Sequence, residues 1–105
     1  MTSLVQVTLE NQEFYLEKIL EIENLSFSAP WSLNGFLHEL ENPVSHLWAM
    51  MSESVLLGYL CFWMVQEEMQ LLDLAVHPRY RGLGHGTFLL TNMIDHGFSK
   101  GISRI

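Results

Sequence analysis

Apolar residues recur along this chain with helical spacing near its start and near its end, and with strand-like spacing between. Ser3 to Thr8 alternates weakly around Val5 and Val7 and predicts a short strand. Asn11 is placed to cap a helix running to about Asn24, with Leu16, Ile19, Leu20 and Glu23 on its inward face and the other glutamates opposite. Pro30 breaks the chain, and Trp31-Ser32 opens a second helix. Ser32 suits its N-cap, and Phe36, Leu37 and Leu40 form its buried face. Gly35 weakens this helix and Asn42-Pro43 stops it.

Strands are expected over Ser45 to Met51, Leu56 to Val65 and Met69 to Val76, the second rich in Tyr, Phe and Trp. Ser52-Glu53-Ser54 and Gln66-Glu67-Glu68 read as tight polar turns, so the three strands form an antiparallel meander. The last of them is apolar at nearly every position except Asp73. That pattern predicts a strand buried on both faces, in the middle of a sheet. A final helix spans Thr87 to Phe98. Leu90, Met93, Ile94 and Gly97 form its face, Leu89 and Phe98 widen it, and Lys100 and Gly101 suit its C-terminal end. Ile102 to Ile105 begins an extended segment, where a helix following a central strand returns the chain for a parallel strand.

Composition narrows the class. A length of 105 residues suits one domain, and 49% hydrophobic residues allow a real core. The longest apolar run, Val55 to Val65, is too short to span a bilayer, and no signal-like segment opens the chain. Its only cysteine, Cys61, has no partner for an internal disulfide and reads as a core thiol; the expected setting is cytoplasmic. A formal net charge of −7 argues against nucleic acid and anionic membranes as partners. The charge is also uneven. Glu10, Glu13, Glu17, Glu21, Glu23, Glu39 and Glu41 crowd the N-terminal part, whereas Arg79, Arg81, Lys100 and Arg104 lie near the other end. Solvated helix faces explain most of those glutamates, and a basic partner would also suit them. The five histidines show neither an i, i+4 pair nor cysteine partners, so no metal site is expected.

Candidate chemistry gathers in one stretch, Val76-His77-Pro78-Arg79-Tyr80-Arg81-Gly82-Leu83-Gly84-His85-Gly86, between a predicted strand and a predicted helix. Glycines let backbone N–H groups turn inward, and the helix N-terminus adds unpaired amides and a positive dipole end. With two arginines alongside, this is a site for a phosphate-bearing anion. Other glycine loops fit less well. A P-loop needs Lys after its last glycine, and Thr87 stands there; a dinucleotide fingerprint or a kinase loop needs a third glycine at the same position.

Arg81-Gly82-Leu83-Gly84-His85-Gly86 resembles the Q/R-x-x-G-x-G/A signature of the GCN5-related N-acetyltransferases, with a histidine where the family has an aliphatic or basic residue. Ile22-Glu23 followed by Phe27-Ser28-Ala29-Pro30-Trp31-Ser32 resembles the N-terminal segment of the RimI-type ribosomal-protein-alanine N-acetyltransferases. The resemblance implies an α/β (α+β) fold, with a mixed, mostly antiparallel sheet and helices on both faces. Residues 1–105 would form one acetyltransferase domain, incomplete at its C-terminal end before the fifth strand.

The same resemblance implies acetyl transfer from acetyl-CoA to the N-terminal amine of a protein, by direct attack of the amine. The coenzyme would lie along Leu74, Ala75 and Val76, with its pyrophosphate on Arg81, Gly82, Leu83, Gly84, His85, Gly86 and Thr87. The protein partner would be a basic ribosomal protein. Trp31 would line the peptide groove. Asp73 either holds the incoming ammonium or is a hydrogen-bonded strand aspartate. Relatives of this kind carry their general-base glutamate and general-acid tyrosine beyond the position of Ile105, so no catalytic acid or base is expected among these residues. The alternative is a coenzyme A-binding or interaction module without catalysis. The apolar strand edge, lacking a full neighbour, predicts a homodimer or strand exchange.

Overall fold

The computed structural model describes the whole chain, Met1 to Ile105. Strand β1 (Thr2–Val7) leads through a short 3-10 turn to helices α1 (Leu16–Ser26) and α2 (Leu33–Glu41). Strands β2 (Ser45–Ser52), β3 (Val55–Val65) and β4 (Glu68–Val76) follow, then a second 3-10 turn and helix α3 (His85–Ser99). All strand pairs are antiparallel, in the order β1-β2-β3-β4.

Strand alternation sorts the side chains into two cores, because neighbouring residues point to opposite faces. Leu47, Ala49, Tyr59 and Cys61 pack with Ile19, Ile22 and Phe36 beneath α1 and α2. Trp48, Met50, Leu60 and Phe62 pack with Leu89 and Met93 beneath α3. The expected elements and the sheet with helices on both faces are present.

Local chemistry explains most boundaries. Ser32 caps α2 by accepting from the Gly35 amide at 3.1 Å, and α2 ends just before Asn42-Pro43. Asn11 does not cap a helix directly. Its side chain accepts from the Thr8 amide at 2.7 Å, stabilising the turn out of β1, and α1 begins only at Leu16. Gly101 has φ 90°, as a glycine past a helix end requires. Phe98, expected on the buried face of α3, is exposed, while Leu89 is fully buried.

Strand β4 corrects one expectation. Among these residues it is the edge strand, as the lack of a full neighbour predicts, but it is not buried on both faces throughout: Gln70 and Leu71 are exposed. Its outer side is met only at its start. There Arg104 forms a parallel bridge to Glu68, the Met69 amide donates to the Arg104 carbonyl at 2.8 Å, and the two side chains pair at 2.8 Å. The returning parallel segment is therefore seen at its first contact. A register shift also interrupts the β3–β4 ladder: Cys61 faces Asp73, but Phe62 faces Leu71. The extra residue, Leu72, packs on the α1–α2 side, the same side that the pairing with Cys61 gives Asp73. A bulge thus puts Leu72 and Asp73 on one side of the strand, which an apolar run read without register does not reveal.

Candidate active site

Beyond the bulge, the outer edge of β4 runs free toward the glycine turn. Leu74, Ala75 and Val76 line a hollow there with Ser26, Phe27 and Arg81. A second hollow, of 290 Å³, adjoins it through Phe27 and is lined by Glu23, Ser28, Ala29, Trp31, Leu72 and Asp73. Together they make a groove between the α1–α2 connection and the edge of β4. The sheet stays closed on the inner side of β4, where Gly58 lets β3 approach closely. A Cβ there would stand 2.7 Å from the Ala75 carbonyl oxygen.

At the upper end of the groove, Pro78–Tyr80 forms a 3-10 turn started by His77, whose Nδ1 accepts from the Arg79 amide at 3.1 Å. Gly82 and Gly84 follow with φ 80° and 85°. No neighbouring atom lies where their Cβ atoms would be, so the backbone conformation, not lack of room, calls for glycine. Gly84 caps α3 without a side-chain hydrogen bond. The first-turn amides, Gly86 and Thr87 among them, therefore have no intrahelical acceptor and face outward as donors. Gly86 stands over the strand, its missing Cβ 3.9 Å from Val76 Cγ2.

Arg81 is not free. Its Nε donates to the Val76 carbonyl at 2.8 Å and its Nη2 to Ser26 Oγ at 2.8 Å. It ties the end of β4 to the end of α1 at the point where groove and glycine turn meet. At that turn Leu83 is well exposed and His85 half-buried.

At the lower end, Asp73 is 8% exposed and its Oδ2 has no hydrogen-bond partner. Burial first, then a hydrogen bond and like charge from Glu23, push its carboxyl up to about 8. Glu23 is buried against it, accepting from the Tyr59 hydroxyl at 2.5 Å and from the Trp31 amide at 2.9 Å. Burial and that bond to Glu23 raise the Tyr59 phenol far above its ordinary range. The sequence puts Glu23 on the inward face of the first helix and Tyr59 in the aromatic-rich second strand of the meander, with no local sign that the two meet. The available signal was a glutamate at the buried phase of an apolar helix stripe, where only a paired charge survives. Cys61 lies fully buried, its thiol pushed up to about 12 chiefly by burial, which makes it a core residue.

A sheet edge opening onto a glycine turn and a helix N-terminus is a backbone cradle suited to an elongated, phosphate-bearing ligand. Residues 16–105 match the profile of the acetyltransferase (GNAT) family, and the chain belongs to that family. It is 35% identical over 81 residues to a Bacillus subtilis (strain 168) protein provisionally named ribosomal protein bS18-alanine N-acetyltransferase. That match covers 76% of this chain and 54% of the relative, so the chain spans about half the length of the curated relative it matches. Among solved structures, the ribosomal-protein-S18-alanine N-acetyltransferase from Escherichia coli superposes with a TM-score of 0.83 at 20% identity, over 98% of this chain and 63% of that one. PaiA N-acetyltransferase from Thermoplasma acidophilum, solved with coenzyme A, gives 0.75 at 18% identity, over 97% and 75%.

Proposed function

We propose that the chain is the coenzyme-binding part of an acetyl-CoA-dependent N-acetyltransferase that acts on the N-terminal amine of a protein, by similarity a ribosomal protein. The observation that carries this reading is the continuity of the open β4 edge at Leu74–Val76 with the Gly82–Gly84 turn and the first turn of α3. The pantetheine arm would add to β4 as an extra strand, and the pyrophosphate would accept from the amides of Gly82 through Thr87. The groove residues Trp31 and Asp73 would meet the peptide. The many glutamates toward the N-terminus suit a basic substrate, and a cytoplasmic setting fits the same reading.

No residue need become acylated, since an amine attacks a thioester directly. A backbone N–H near Val76 would polarise the thioester carbonyl. An α-amine with a pKa near 8 is partly neutral at pH 7, so positioning contributes more than proton removal. Arg81 would keep its bond to Ser26 as the coenzyme arrives, while its contact with the Val76 carbonyl competes with strand-like pairing there.

Titration with acetyl-CoA in a calorimeter tests the reading. Wild-type protein should bind, and Gly84→Trp, which forces a bulky side chain onto a φ of 85°, should not. Equal affinity in the two would count against it. An assay with an alanine-initiated peptide then tests whether these residues alone turn over.

A further inference from the structure

Two acidic side chains meet at the floor of the lower hollow with no cation beside them. Glu23 comes from α1, and both its oxygens already accept hydrogen bonds, from Tyr59 and Trp31. Asp73 comes from the bulged part of β4, more than nine-tenths buried, with Oδ2 unpartnered. The titratable groups that face Asp73 are Glu23 from α1 and Tyr59 and Cys61 from β3, all acids. Two carboxylates that close in a water-poor site do not both ionise, so the pair keeps one proton. An orphaned polar oxygen at this depth, lining a hollow, is an acceptor waiting for a donor.

We propose that Glu23 and Asp73 form a one-proton carboxyl pair that exchanges its proton for the cationic end of a primary amine entering the hollow. The exchange balances. The Asp73 O–H bond breaks and its proton leaves to solvent, while an ammonium N–H donates to Oδ2. The hollow carries one negative charge before, as carboxylate plus carboxylic acid, and one after, as two carboxylates plus ammonium. An acetylated amine brings no positive charge. Asp73 then recovers a proton and the hollow no longer favours the ligand, so the pair selects substrate over product. Trp31 and Phe27 supply an apolar wall, and Ser28 and Ala29 leave room for a small first side chain. This inference rests on the proposed function for the meaning of the amine, but it concerns binding alone.

The test is calorimetry on the wild-type chain at pH 7 with Ala-Ala-Ala amide, run in two buffers of different ionisation enthalpy. We expect release of about one proton per peptide bound, because a free α-amine with a pKa near 8 arrives mostly charged. The Nα-acetylated peptide should not bind. Asp73→Asn keeps the shape and should bind the amine roughly 10- to 100-fold more weakly, as loss of a charged hydrogen bond implies, with no proton release. No binding to wild type, equal binding of the acetylated peptide, or binding without proton release would each overturn the proposal. Coenzyme A is titrated separately. If it binds and the peptide does not, this inference alone fails; if the peptide binds with proton release and coenzyme A does not, the acetyltransferase reading fails and the carboxyl pair stands.

Discussion

Asp73 shows how one residue reports its surroundings. A carboxyl held up to about 8 binds a proton in the folded state that the unfolded chain has already lost above about pH 4. Stability from this group is therefore full in acid and declines as pH rises from about 4 through about 8. We expect Asp73→Asn to raise the melting temperature relative to wild type by much more at pH 8.5 than at pH 5, measured by scanning calorimetry. An equal shift at both pH values would show that Asp73 is ionised throughout. Cys61 gives a simpler expectation. With its thiol pushed up to about 12 and no exposed surface, it should resist iodoacetamide at pH 8 in the native state and react within minutes in urea. The presence of both residues was plain in the sequence, and Cys61 was correctly read as core. The pairing of Asp73 with Glu23 was not legible, because the two lie far apart along the chain and meet only when α1 lies across β4.

At the scale of elements, caps and turns were the most readable features. Ser32 opens α2 through a bond formed within three residues, so sequence alone contains both partners. Ser32→Ala should cost about 1 kcal/mol in urea denaturation. Strand β4 was the least readable. Its bulge depends on how β3 and β4 settle against each other, and their close approach at Ala75 depends on Gly58, a position without any local turn signal. Gly58→Ala would drive a methyl group to 2.7 Å from the Ala75 carbonyl, so β4 must move. We expect a loss of about 1–3 kcal/mol, typical of overpacking, together with weaker coenzyme binding because Ala75 lies on the groove. Unchanged stability would mean that the strand shifts freely and that the groove is not rigidly built.

For a polypeptide of these 105 residues taken by itself, the open edge of β4 and the apolar Leu71 and Phe27 beside it are expected to favour association between copies by strand pairing. Sedimentation equilibrium at high protein concentration should show a dimer, and a monomer throughout would remove that expectation. No helix is long and apolar enough to cross a membrane. The two faces of the sheet, the meander and the glycine turn before α3 all follow from the sequence, because alternation, helical spacing and turn chemistry act between residues a few positions apart. Tertiary structure alone decided that a bulge brings Asp73 to the Cys61 face, that Arg81 closes onto Val76 and Ser26, and that Glu23 and Asp73 share one hollow. Each depends on packing between distant segments, where burial and like charge change what a side chain does without any mark in its neighbours along the chain.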